Sequence, residues 1–129
     1  MDVAACVWCS LAEDRSEARA ALARTIAYFG PSFSPHVLEG VGLTAADLAP
    51  ARAASIEGDH DAAIRLLPEA ALRLGVSGNA DDVIGRVVGL IEAGADHVSF
   101  GPPLGPDMRE ALEILRVSVI PALRAAACE

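Results

Sequence analysis

The sequence contains no lysine. All ten basic residues are arginine, set against eighteen acidic residues, for a net charge of -8. A Walker-type phosphate loop requires a lysine, so that motif is excluded. The negative balance leaves no electrostatic footprint for nucleic acid or an anionic membrane surface. No apolar run approaches the roughly 20 residues needed to span a bilayer. The N-terminus lacks a basic segment followed by an apolar core and a cleavage site, so the expected compartment is cytoplasmic.

Cysteine and histidine are sparse. Cys6, Cys9 and Cys128 are odd in number, which argues against a disulfide framework. Cys6-Val-Trp-Cys9 has redox or zinc spacing, but Val3 to Ser10 reads as a strand, where residues three apart point to opposite faces. Both cysteines are therefore expected as buried small hydrophobes. His36, His60 and His97 form no i, i+4 pair and have no cysteine neighbour, so no metal site is expected. His97 follows Asp96 at the start of a strand. That suits a backbone-bonded histidine better than a general acid or base, because ligands gather at the other end of parallel strands. No catalytic residue is identified.

What the chain does have is a 53% hydrophobic content in 129 residues, many of them alanine. That suffices for one core and one domain. Val3–Ser10 is mostly apolar and reads as a strand buried on both faces, as in a parallel sheet. Asp14 with Glu17 resembles a capping box, and the helix from Arg15 places Ala18, Leu22, Ile26 and Phe29 on one side before Gly30-Pro31. Residues 32–73 read as a helical insertion: Thr44 caps a helix to about Ala54, a second ends near Leu67, and Pro68 opens a further turn. Leu74–Gly78 is a short strand. Asn79 caps the helix carrying Val83, Ile84, Val87, Val88 and Ile91. Asp96–Phe100 is the next strand, so that strand, helix and strand form a βαβ crossover. Asp107 caps the last helix, with the stripe Met108, Leu112, Leu115, Val119 and Leu123 and a kink expected at Pro121. The fold class is α/β.

The stretch from Gly94 to Asp107 organises the rest. Gly101 and Gly105 let backbone approach a ligand, and Pro102, Pro103 and Pro106 stiffen what reads as a loop after the strand. Gly75-Val-Ser-Gly-Asn79 is a strand-to-helix turn with free helix N-terminal amides. Helix capping explains that turn equally well.

From Val-Ser-Gly-Asn-Ala-Asp-Asp-Val through Glu-Ala-Gly-Ala-Asp-His-Val-Ser-Phe-Gly-Pro-Pro-Leu-Gly-Pro, the chain resembles the C-terminal part of the bacterial luciferase-like oxidoreductases. It is most similar to their deazaflavin-dependent methylenetetrahydromethanopterin reductase branch. The opening Val-Trp-Cys-Ser-Leu-Ala-Glu-Asp-Arg and the closing Val-Ile-Pro-Ala-Leu-Arg carry the likeness to both ends. The resemblance implies a partial (β/α)8 TIM barrel: strands six to eight, three C-terminal β/α units with a helical insertion, residues 1–129 forming one C-terminal portion. It implies hydride transfer with coenzyme F-420, a deazaflavin, or alternatively FMN in a monooxygenase, and a small-molecule substrate. The cofactor would lie along Ser99, Gly101, Pro102 and Pro103, with Gly78 and Asn79 on the neighbouring loop. The family's first five strands, which carry most cofactor contacts, have no counterpart here. A fragment lacking a complete active site is therefore expected, partnered by a homo-oligomer or a complementing N-terminal half-barrel. The competing readings are a non-catalytic module pairing through exposed sheet edges and a small independent α/β domain.

Overall fold

The structure, a computed structural model, describes residues 1–128. The chain divides into two compact units, one formed by residues 1–19 with 75–129 and the other by residues 20–74. The first holds a three-stranded sheet: β1 (Ala4–Leu11), β2 (Val76–Gly78) and β3 (His97–Leu104). The strands are all parallel and lie in the order β2-β1-β3. The crossover read from the sequence is present but passes over a strand. β2 and β3 are joined by one helix but are not neighbours, because β1 lies between them, and the order is not the sequential one of three consecutive barrel strands. β1 is the long apolar strand and takes the central place, where both of its edges are paired.

Register sorts the sheet into two faces. Ala5, Val7, Cys9 and Leu11 pair with Val98, Phe100, Val76 and Gly78 respectively, and this face meets the helices. Its core joins Val7, Cys9, Leu11 and Val76 to Val83, Val87, Ala111, Leu115 and Val119. The opposite face carries Ala4, Cys6, Trp8 and Ser10 beside Ser77, His97, Ser99 and Gly101. There Ala4, Cys6, His97 and Ser99 are exposed. Two expectations change as a result. β1 is buried on both faces only toward its carboxyl end, and of its two cysteines Cys9 is buried while Cys6 is not.

β3 runs further than Phe100. Gly101, Pro102 and Pro103 continue the strand, which ends at Leu104 with φ +69°, and a bulge lies where Trp8 pairs Gly101 and Ser10 pairs Leu104. Proline's fixed φ suits an extended edge strand, and its missing N–H fits a bulge. The Pro102–Pro103 peptide is cis.

Three helices cover the apolar face. α5 (Ala80–Glu92) buries Val83 and Val87, with Ile84 and Ile91 packed alongside, as the 3.6-residue spacing predicts. α6 (Met108–Ile114) and α7 (Ile120–Ala127) are joined by one wide π turn at Leu115–Val119. The predicted stripe is corrected in its first half. Met108 and Leu112 are 59% and 51% exposed, and Ala111, Leu115 and Val119 face the core instead. The expected kink at Pro121 takes the form of that π turn. Proline cannot donate to the carbonyl four residues back and crowds it, so the preceding turn widens and Ile120 N–H reaches Leu115 O.

The second unit is helical. α1 (Arg15–Phe29) spans the unit boundary, and within residues 20–74 lie α2 (Pro35–Gly40), α3 (Ala45–Ile56), α4 (His60–Leu66) and two 3-10 segments, Gly30–Ser32 and Glu69–Leu74. α2 escaped the sequence reading, although Ser34 caps it and Pro35 occupies its first turn. Thr44 N–H donates to Asp47 at 2.8 Å, and Asp59 caps α4. Leu22, Ile26, Leu38 and Leu48 are fully buried in this unit, and a separate cluster is nearly all alanine: Ala27, Ala51, Ala54, Ala62 and Ala63, with Leu67 against them. Such small side chains let helices approach closely. A cleft of about 670 Å³, mostly apolar, lies among Phe33, Pro35, Leu38 and Leu43.

Candidate functional site

The carboxyl ends of all three strands lie level. Leu11 pairs with Gly78, and Ser10 pairs with both Ser77 and Leu104. In open or closed parallel sheets this is the edge where ligands are held.

On the β2 side the rim is fixed by a network around Asp82. Gly78 has φ +143°, and a β-carbon there would stand 2.6 Å from Asp82 Cβ and overlap the carboxylate. Asn79 N–H donates to Asp82 at 3.0 Å and Asp82 N–H returns a bond to Asn79 Oδ1 at 3.1 Å. This reciprocal cap satisfies two amides at the head of α5. Arg15 then grips the same carboxylate through Nε at 2.7 Å and Nη2 at 3.3 Å. That guanidinium, followed by the Asn79 amide, holds the Asp82 carboxyl below its ordinary 3.8. The sequence-predicted Gly78 and Asn79 are thus engaged in shaping the turn. Gly78 O also accepts from Ala12 N at 3.1 Å, tying β2 to the chain leaving β1. A cleft of about 240 Å³ beside this turn is lined by Glu13, Asn79, Asp81, Ile114 and Ser118. Its two carboxylates disfavour an anion there.

On the β3 side, Gly101 lies against Trp8, where a β-carbon on the glycine would sit 3.5 Å from the indole Cδ1. Pro102 is exposed, while Gly101 and Pro103 are half-buried. Ser99 is exposed one pair below, opposite Cys6. With β1 between them, the two groups of predicted residues stand on either side of one central strand, about 10 Å apart across the sheet. Ser99, Gly101 and Trp8 share the bare face.

The sequence reading missed Trp8, Ser10 and Ser77, which the register places on that same face. The signal was available in the alternation of β1, where Cys6, Trp8 and Ser10 must all oppose Cys9. Ser10 is fully buried, and its hydroxyl has no hydrogen-bond partner among the described residues. Burial pushes the Cys9 thiol up to about 11, which leaves it protonated and unreactive. His97 stands at the far, amino end, its Nε2 3.5 Å from Asp2 Oδ2, with both side chains exposed. Among the described residues no three His, Cys, Asp or Glu converge as metal ligands. No described helix is long and apolar enough to cross a membrane.

The rim can therefore offer the hydroxyls of Ser77 and Ser99 beside the Trp8 indole, and among the described residues the register places no acid, base or charged group with them at that end of the face.

The chain matches no family model. It is 30% identical over 120 residues to the 5,10-methylenetetrahydromethanopterin reductase of Archaeoglobus fulgidus, which covers 89% of the chain and 36% of that protein. The reductase of the same name from Methanopyrus kandleri is 30% identical over 122 residues, or 94% of the chain and 35% of the relative. The solved structure of the coenzyme F-420-dependent tetrahydromethanopterin reductase from Methanopyrus kandleri superposes with a TM-score of 0.82 over 95% of the chain and 35% of that structure. The chain thus spans about a third of the length of the relatives it matches.

Proposed function

We propose that this chain, a homologue of the coenzyme F-420-dependent methylenetetrahydromethanopterin reductases, is one sector of a luciferase-like (β/α)8 barrel and carries part of a deazaflavin seat on its rim. Residues 1–129 then form a single C-terminal portion, with the helical unit as an insertion. β1 and β3 serve as adjacent staves, and β2 is a short strand on the far side of β1 at the mouth.

The observation that carries the reading is the two-faced sheet. One face is sealed by α5, α6 and α7, while the other presents small and polar residues with exposed Ala4, Cys6, His97 and Ser99. A free-standing parallel sheet has both faces covered. A sheet sealed on one side, with its other face bare except toward the carboxyl end where Ser10 is buried, is what a stave of a closed barrel offers before its neighbours arrive. The side chains at the rim fit the cofactor. Gly101 stands beside the Trp8 indole, Ser99 supplies a hydroxyl, and the register places no carboxylate with them on that face.

When bound, the deazaflavin supplies hydride transfer to or from a carbon of a small-molecule substrate. The chain's own part is to orient the ring and exclude water. Ser99, Gly101, Pro102 and Pro103 line one side of the seat. Gly78 and Asn79, fixed by Asp82 and Arg15, set the height of the other. Because the chain is a third of its relatives' length, turnover requires the missing staves, supplied by a complementing half-barrel or by a second copy.

Trp8 is the single tryptophan and stands in the proposed seat. Titration with coenzyme F-420 should change its emission with a micromolar dissociation constant, and FMN should bind less tightly. No emission change and no binding at millimolar coenzyme F-420 overturns the proposal. Equal binding of FMN favours the flavin-dependent branch.

A further inference from the structure

The unpartnered hydroxyl of Ser10 is the one buried polar side-chain atom among the described residues left without a bond. Such an atom gives up its water without compensation, so a native structure that keeps one calls for a reason. Alanine would fill the position with less cost.

Ser10 sits at the carboxyl end of the central strand and is paired in register with Ser77 on β2. Partners on adjacent parallel strands are about 4.8 Å apart at Cα and project to the same face. Two serines so placed can bond through their hydroxyls after a rotation about one χ1 angle. Ser10 is fully buried, whereas Ser77 is only partly covered. The pair thus has an inner and an outer member.

We propose that Ser77 is a cofactor-binding residue and that Ser10 is its positioning residue. Ser77 donates its hydroxyl proton to an acceptor oxygen of the deazaflavin, and its own oxygen then accepts from Ser10. The bond that Ser10 lacks is made when the ligand turns Ser77 toward the rim. Burying the donor keeps water from competing for it, and Gly78, locked by Asp82, holds Ser77 at a fixed height. This rests on the rim being a deazaflavin seat. A ring carbonyl and the phosphate of the cofactor tail present the same acceptor chemistry.

The test is a double-mutant cycle on the full chain, read by coenzyme F-420 titration and thermal melting. Ser77→Ala should weaken binding about tenfold and Ser10→Ala about fivefold, each loss being within what one hydrogen bond supplies. The double variant should bind no worse than Ser77→Ala, because Ser10 acts through Ser77. Without ligand, Ser10→Ala should melt at the same or a higher temperature than the parent, which separates positioning from a structural role. Ser10→Thr, which keeps the hydroxyl, should restore binding. A deazaflavin lacking the phosphate tail distinguishes the acceptors: retained sensitivity to Ser77→Ala points to a ring carbonyl, and lost sensitivity to the phosphate. Parent-like binding by Ser10→Ala, additive losses, or a lowered melting temperature overturns this inference alone. Absence of binding by the parent chain overturns the deazaflavin reading and this inference with it.

Discussion

Gly78 and Gly85 stand seven residues apart and should respond in opposite directions to the same substitution. At Gly78, φ +143° and the overlap with Asp82 leave no room for a β-carbon. Gly78→Ala should cost about 2 kcal/mol or more and loosen the cap of α5, measured by urea unfolding. At Gly85, inside α5, an added β-carbon meets nothing within 4 Å. Gly85→Ala should stabilise by about 0.5–1 kcal/mol, since alanine has less backbone freedom to lose in a helix. Asp82 adds a pH dependence. Arg15, then the Asn79 amide, lower its carboxyl in the folded chain below the unfolded 3.8. Its stabilisation is therefore present above that value and lost as pH falls through the folded one. Acid unfolding below about pH 4 should be shallower in Asp82→Asn than in the parent, as measured by circular dichroism. Equal slopes would mean that the Arg15 bond contributes nothing, as exposed ion pairs often do.

The elements were largely legible, and the exceptions share a cause. Helix heads were read from single residues because a cap is a local event: Asn79, Asp107 and Thr44 each begin a helix where their side chains indicate. Register along a long helix is not local. The stripe Met108, Leu112, Leu115 assumes unbroken α geometry, yet the turn ahead of Pro121 widens, and Ala111 rather than Leu112 faces the sheet. Leu115→Ala should cost about 3 kcal/mol, whereas Leu112→Ala should stay within about 0.5 kcal/mol in the same unfolding assay. Comparable losses would return Leu112 to the core. The strand end was misread for a related reason. Gly101-Pro102-Pro103 has turn composition, but proline's φ is also that of extended chain, and pairing with β1 decided between the two.

At the scale of the molecule, strand order was beyond sequence patterning, because nothing local tells β3 to pair with β1 rather than with β2. The parallel α/β class was readable from the apolar first strand and the strand-helix-strand spacing, and the family likeness added the partial barrel as an expectation. The faces of the sheet came only with register, and with them Trp8, Ser10 and Ser77. Hydrogen exchange should follow this architecture. β1, paired on both sides, should exchange slowest, and the outward amides of β3 fast at low concentration. Protection of β3 that rises with protein concentration would show a second copy at that edge.

The consecutive prolines of β3 have a last effect, on what could pair with its free edge. Pro102 and Pro103 offer no N–H, so a strand laid alongside β3 would find fewer donors toward its carboxyl end than from His97 to Phe100. Any such seam would be held more loosely there than at the amino end of the strand.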